Sequence, residues 1–245
     1  MQYFLDTVET IPEGIGWSLF SGYHFLWLGI LAVFAAVLSI QYKKRNAEQR
    51  AKWRKAMAAA IILDEIWKMF WLTVGGRYLP DYLPLHLCSI NIILIAIHAW
   101  KPSKMLDNFL YGVCIPGAMA AMLFSSWTSL PPLNFMHLHS FTIHILLITY
   151  PVMLTVGGDI RPDWRMLPKC ILFTLCMAVP VYLVNLALDT NFMFLMYAEE
   201  GNPLLIFEEL FGNHLLGIPV LATVFVGVMY LILYLCRRAG KKKVG

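Results

Sequence analysis

The feature that most constrains this chain is a series of about seven apolar segments, each long enough to cross a bilayer. A helix needs roughly 20 mostly apolar residues to span the hydrocarbon core. Hydrophobic residues make up 59% of the chain and charged residues only 14%, whereas a soluble domain is about a quarter charged. The sequence therefore predicts an all-α, polytopic membrane bundle that forms one transmembrane domain over residues 1–245. The predicted spans lie at about 18–41, 56–73, 84–100, 105–127, 135–156, 168–188 and 214–236.

The basic residues predict the orientation of this bundle. With seven spans and the N-terminus outside, all 19 lysines and arginines except Lys68 and Arg77 fall on the cytoplasmic side. This is the asymmetry that the positive-inside rule describes. We therefore expect a cytoplasmic C-terminus and a multi-pass protein of the cell membrane. The basic tail is explained by topology and anionic lipid, so membrane lipids are the expected partners and nucleic acid is not. The sequence does not indicate an oligomeric state.

Two prolines interrupt the predicted spans. Pro116, in the motif GVCIPG, and Pro180 lie in mid-span, where each should kink its helix and free a backbone carbonyl. Freed carbonyls persist at membrane depth only where they face protein or a water-filled cavity. The bundle is therefore expected to enclose such a cavity.

The second span carries the charged motif DEIWK. Asp64 and Lys68 are four residues apart and are predicted to form an ion pair on one helix face, with Glu65 pointing elsewhere. Such a pair would fix helix packing. The alternative is that these charges bind the headgroup of a substrate, because ionisable residues inside a membrane are costly and frequently functional.

Other polar residues concentrate in the predicted outer half of the bundle. Two interpretations are open: helix caps and interhelical hydrogen bonds, or an outward-facing functional cavity. The set combines six of the seven histidines with a cysteine and polar residues near the end of the sixth span. Its members are His24, His86, His137, His139, His144, His214, Cys88, Asn185, Asp189 and Asn191.

Cys88 is the candidate nucleophile in this set. The five cysteines all lie in or beside apolar segments, which does not indicate a disulfide framework, and Cys88 alone has polar neighbours, with Asn91 on its own helix face. An imidazole can take the thiol proton so that the thiolate attacks a carbonyl, and an amide can bind the developing oxyanion. Depth along the helices slightly favours His139 over His144 as the base.

The motifs LPLHLCSIN, FTIH and DTNFMFL resemble those of the YwaF-type bacterial integral membrane proteins. That family is similar to the eukaryotic transmembrane protein 164 acyltransferases. The chain has Asp189 where the family pattern has Gly, and Phe192 where it has Tyr. The resemblance implies that Cys88 carries an acyl group during phospholipid acyl transfer, with His144 as its histidine partner.

The predicted function is thus a Cys/His-dependent acyltransferase or lipid hydrolase without metal or cofactor. Cys88, His144 and His139 are the catalytic candidates. One alternative is a non-catalytic carrier, channel or receptor for a small molecule or lipid. Another is a zinc hydrolase that uses His86, His137, His139, Asp189 or His214, although the chain lacks an HxxxH pair. The predicted substrate-binding residues are His86, Asn91, His137, Asn185, Asp189 and Asn191.

Overall fold

The apolar segments fold as helices, because only a helix satisfies its own backbone hydrogen bonds within a single membrane-crossing segment. A computed structural model describes residues 3–199 and 201–242, and the regular elements in these ranges are all helical. Lys243 of the predicted basic tail and Glu200 lie outside the described residues. The helices are α1 Gly22–Lys43, α2 Ala47–Val74, α3 Leu87–Trp100, α4 Lys104–Phe109, α5 Ile115–Leu123, α6 Phe135–Gly157, α7 Leu167–Leu188, α8 Leu204–Phe211 and α9 Gly217–Lys242.

Six helical segments within the described residues are long and apolar enough to cross a membrane, which confirms a helical membrane protein with several spans. α2 is not among these six because its charges lower its hydropathy, although it has 28 residues. We call the end of the bundle where α1 meets α2 the basic end, since it carries the basic stretch 42–55. The six segments are Gly22–Lys43, Pro80–Trp100, Lys104–Leu123, Phe135–Gly157, Trp164–Leu188 and His214–Arg238.

α6 is the central helix of the bundle. In its most apolar stretch 61% of the residues are buried, against 11% in the α7 segment and 6% in the α9 segment. Phe141, Leu147 and Leu154 are fully buried on α6 and belong to the main apolar core. The exposed apolar faces of α7 and α9 are what lipid-facing helices present. Polar residues on α6 are therefore held away from lipid.

Side-chain caps determine where α6 and α2 begin. The Asn134 side chain accepts hydrogen bonds from the backbone N–H groups of Met136 and His137. Its amide donates to the carbonyls of Tyr3 and Asp6, which fixes the N-terminal segment to the start of α6. At the basic end, Asn46 and Gln49 form a reciprocal capping box at the start of α2, a motif that satisfies two otherwise unpaired N–H groups.

The structure shows how the backbone accommodates Pro116. A π-helical turn at Leu110–Cys114 joins α4 to α5, and Pro116 is in the first turn of α5. Because proline has no N–H to donate to the preceding turn, the wider turn absorbs the missing hydrogen bond. Pro180 lies inside α7, which continues through it without a break.

Candidate functional site

Cys88 and His144 meet inside the bundle. The Cys88 Sγ atom lies 3.1 Å from Nε2 of His144. His144 is 8% exposed and Cys88 is partly buried. Since a thiol hydrogen bond to nitrogen is normally longer than one between nitrogen and oxygen, this is a close contact. It is the nucleophile–base distance that thiol catalysis requires.

The second ring nitrogen of His144 determines which tautomer faces the thiol. Nδ1 lies 2.6 Å from the backbone carbonyl oxygen of Ser140. A carbonyl accepts hydrogen bonds and cannot donate them, so Nδ1 carries a proton and donates it. In the neutral ring Nε2 is then the acceptor, and it can receive the proton of the Cys88 thiol.

Trp127 holds the plane of the imidazole. Its ring stacks on that of His144 with the centroids 5.2 Å apart and the planes 20° apart. An aromatic face also attracts a cation, so the stack favours the imidazolium that forms when His144 takes a proton. The sequence did not predict this contact, because nothing in the spacing of this loop residue from Cys88 or His144 connects it to them.

Depth counted along the helices favoured His139, whereas the structure places His144 beside Cys88. α3 begins at Leu87, so Cys88 is in its first turn, and His144 is well inside α6. At 1.5 Å per residue, the start of α3 lies roughly 12 Å deeper than the start of α6. The depth estimate assumed that α3 and α6 begin at the same depth in the membrane. The offset between their first residues could not be read from the sequence.

The position of Cys88 at the start of α3 also affects the stability of its thiolate. The N-terminal end of a helix carries a partial positive charge, which stabilises a thiolate in the first turn. His86 is the N-cap residue of α3 and lies outside its regular turns, so helical spacing does not determine its direction relative to Cys88. Its Nδ1 accepts the backbone N–H of Met193 at 3.3 Å, and its ring contacts that of Phe192.

Asn91 lies one helical turn after Cys88, on the same face of α3. Its side chain is fully buried, and neither of its amide atoms has a hydrogen-bond partner among the described residues. A buried amide without partners is costly. Such a group is commonly satisfied by water or a ligand, so Asn91 is the residue beside Cys88 with free hydrogen-bonding capacity.

The charged residues of the DEIWK motif in α2 do not pair as the sequence predicted. Lys68 Nζ pairs with Glu65 Oε1 at 2.6 Å, so the predicted Asp64–Lys68 pair is wrong. Asp64 Oδ2 instead lies 2.8 Å from His139 Nδ1, without the alignment of a hydrogen bond, and Glu65 Oε2 is 3.7 Å from His139 Nε2. Asp64 has a partner on α6, His139. Residue spacing within α2 could not reveal a partner on another helix.

His137 occupies an aromatic pocket of its own. Its Nε2 lies 2.9 Å from the Tyr23 hydroxyl, and its ring packs edge-on against Trp17. Nδ1 has no partner among the described residues. His137 contacts α1 residues, whereas His144, seven residues further along α6, contacts Cys88 on α3.

Asn185 and Asn191 organise the loop that follows α7. The Asn185 side chain accepts from the backbone N–H of Phe192 and donates to its carbonyl. Asn191 accepts from Met196 and Tyr197 in the same way. Asp189 is exposed and caps α7 in a left-handed conformation, with φ of 54°. Through these bonds the loop brings Met193 and Phe192 against His86.

The potential metal ligands do not converge. Within residues 3–199 and 201–242, no group of three or more His, Cys, Asp and Glu side chains is arranged to hold a metal ion. Zinc sites need three or four such ligands. The geometry therefore gives the zinc-hydrolase alternative no support.

The fold and the site together define a polytopic helical membrane protein with a thiol–imidazole pair in its interior. A sequence model of the TMEM164 family matches residues 19–236. The chain belongs to the TMEM164 family. Comparison with curated proteins gave no match, and neither did comparison with solved structures. The family match covers the helices that carry Cys88 and His144.

Proposed function

We propose that this protein transfers or hydrolyses an acyl group of a membrane phospholipid through an acyl-cysteine intermediate on Cys88. The 3.1 Å contact between Cys88 Sγ and His144 Nε2 carries this proposal. Its support is the donation of the other imidazole proton to Ser140, which leaves Nε2 as the base. The pair lies inside a membrane bundle, where a lipid is the substrate nearest at hand.

The reaction has two halves. His144 Nε2 takes the Cys88 proton, and the thiolate attacks the ester carbonyl carbon to form a tetrahedral oxyanion. The oxyanion collapses to a thioester, the ester C–O bond breaks, and the departing lysolipid oxygen receives the proton from Nε2. In the second half a lysolipid hydroxyl or water gives its proton to Nε2 and attacks the thioester. The C–S bond breaks, and the proton returns to Cys88.

Asn91 is the proposed oxyanion-binding residue. Its unpartnered amide is fully buried on the Cys88 face of α3, and a fixed donor in a water-poor site stabilises developing negative charge strongly. His86, His137, His139 and Asp189 are proposed to line the substrate path. Asn185 and Asn191 are proposed to shape it through the loop that they hold.

The proposed setting is the cell membrane, with phospholipid as the partner. α2 is long enough to be the seventh span, because 28 residues extend for about 42 Å. Its charges pair with one another or lie against His139, which keeps them out of lipid. Seven spans put the N-terminus outside and the basic end in the cytoplasm. The motifs of α3 and α6 are also the reason to place the chain in the YwaF-type bacterial branch.

Intact mass spectrometry of the purified protein with phospholipid tests this function. We expect a mass increase of one acyl chain that hydroxylamine removes, and its loss in Cys88→Ala. Cys176→Ala is the matched control, because this exposed cysteine is on a lipid-facing helix. Full lipid-remodelling activity in a folded Cys88→Ala protein would contradict the proposal and favour a carrier.

A further inference from the structure

A polar cavity lies at the basic end of the bundle. Its volume is about 430 Å³. His98, in its wall, follows Cys88 by ten residues on α3, which is about 15 Å along the helix. The cavity is therefore separate from the Cys88–His144 site. Its polar walls are formed by Arg50, Arg54, His98, Asp107 and Asp159.

Arg50 and Asp159 are structural members of this wall. The Arg50 guanidinium donates to the carbonyls of Lys43, Arg45 and Gly157 and pairs with Asp159 at 2.9 Å. Asp159 also accepts the Tyr42 hydroxyl at 2.5 Å. These bonds join the ends of α1 and α6 to the start of α2. They occupy four of the five N–H donors of Arg50.

Arg54, one turn further along α2, retains free donors. It interacts with Asp159, at 3.4 Å from one terminal nitrogen, and with the Tyr42 hydroxyl, and Arg50 already pairs with that carboxylate at shorter range. The Arg54 Nε is buried and has no hydrogen-bond partner among the described residues. A guanidinium offers five donors in a fixed planar fork, so Arg54 keeps terminal N–H donors that its two neighbours do not occupy.

Both carboxylates in the cavity wall already have partners, and the chain around the cavity is rich in basic residues. Asp107 is held by His98 at 2.8 Å, and the other nitrogen of His98 bonds to the Tyr150 hydroxyl. Asp159 faces two guanidinium groups. The adjoining stretch 42–55 has seven basic residues and one acidic residue, and Lys101 and Lys104 flank the cavity at Pro102.

We propose that this cavity binds a phosphate group, with the Arg54 fork as its principal ligand. Arginine binds phosphate through two parallel hydrogen bonds, and the cavity has room for a phosphate with its attached group. The source is either an anionic phospholipid headgroup or a soluble phosphate. This proposal does not depend on the function proposed for Cys88.

Thermal unfolding of the whole protein in a neutral detergent tests the site. One arm adds inorganic phosphate, with chloride at equal ionic strength as its control. The other adds short-chain phosphatidylglycerol, with the matching diacylglycerol as its control. Binding to the folded state raises Tm with ligand concentration, and we expect an increase of roughly 5 °C at saturation. A shift with phosphate assigns a soluble ligand, and a shift with phosphatidylglycerol alone assigns a headgroup.

Arg54→Gln should weaken the apparent affinity about tenfold or more. Lys52→Gln, on the exposed side of the same helix turn, should leave it unchanged. If Arg54→Gln does not fold, Arg54→Lys keeps the charge without the fork and should still bind several-fold more weakly. The same shifts are expected in Cys88→Ala, which separates this site from catalysis. No shift in either arm, an equal loss in Lys52→Gln, or unchanged affinity in both Arg54 variants would overturn the proposal.

Discussion

At the scale of single residues, the candidate site depends on how each polar atom is satisfied. His144 donates through Nδ1 to Ser140, which makes Nε2 the acceptor that faces Cys88. A lone buried thiol would stay protonated, because burial disfavours the thiolate. The imidazole offsets this by leaving a neighbouring positive charge after proton transfer. The reactivity of Cys88 is therefore a property of the pair.

The first prediction compares the two candidate bases. His144→Ala should slow alkylation of Cys88 by a small lipid-permeant electrophile, since the acceptor for the thiol proton is removed. A positioned base typically contributes about 100-fold or more. His139→Ala is the matched control on the same helix and should leave the rate within a few-fold of wild type. Peptide mass spectrometry of Cys88 over time measures both rates. A larger effect from His139→Ala would contradict the assignment.

The second prediction concerns Asn91. Asn91→Leu fills the same space without polar atoms, so it should leave the free energy of unfolding unchanged or raise it, because the wild-type amide is unpartnered. The rate of acyl-cysteine formation should fall by about 100-fold if the amide binds the oxyanion. Single-turnover kinetics and unfolding in detergent separate the two effects. A stability loss without a rate change would show that Asn91 serves packing.

At the scale of elements, α2 and α6 are joined by charges that the bilayer would reject on either helix alone. Sequence spacing identified the three charged residues of the DEIWK motif in α2 but paired Asp64 with Lys68. The structure pairs Lys68 with Glu65, and Asp64 lies against His139. Residues three and four apart on a helix are both neighbours, so local spacing cannot decide between them. The position of α6 beside α2 determines which residues pair, and that position depends on the tertiary structure.

The third prediction tests this pairing. Lys68→Met leaves Glu65 as an uncompensated buried charge, which should reduce the free energy of unfolding by about 3–5 kcal/mol. Adding Glu65→Leu should restore much of the loss. Adding Asp64→Leu to Lys68→Met is the matched control and should restore none. Unfolding in detergent measures all three variants. Recovery in the Asp64 double variant would instead support the pair expected from the sequence.

The fourth prediction concerns the pKa of Glu199, which lies in the loop after α7, and its effect on stability. Burial raises the pKa of Glu199 above its ordinary range, and Asp81 raises it further, whereas a hydrogen bond with Ser126 opposes the shift. The folded state therefore holds the proton more tightly than the unfolded state, and stability is lost as pH rises through the ordinary glutamate range. Glu199→Gln should have a higher Tm than wild type at pH 7 and little advantage near pH 4. An equal difference at both pH values would contradict this.

At the scale of the whole molecule, hydropathy predicted most of the helical architecture. The apolar runs identify the spans because a bilayer imposes both length and composition on them. They did not predict the π-turn before Pro116 or the depth of α3, since both depend on packing between helices. Cys88 was identified by its polar neighbours. Trp127 and Ser140 were not, because a stacked ring and a backbone carbonyl leave no pattern in the sequence.

The fifth prediction tests the orientation of the bundle. In a background without native cysteines, Glu13→Cys should react with an impermeant thiol reagent in intact cells. Lys44→Cys and Lys243→Cys should react only after the membrane is permeabilised, because an excess of basic residues marks the cytoplasmic side. Gel-shift labelling reports each position. Labelling of Lys243→Cys from outside would rule out seven spans with the N-terminus outside.

The contact between Asp64 and His139 imposes an order on biosynthesis. Glu65 and Lys68 can pair within α2 as soon as it is made, but the partner of Asp64 on α6 is made about 70 residues later. At 5–20 residues per second, α2 waits roughly 4–14 s for it. Until then α2 is a poor substrate for release into lipid, so the insertion machinery must retain it or let it enter the bilayer beside α3. α2 and α6 thus mature as one unit, although α3, α4 and α5 lie between Asp64 and His139 in the chain.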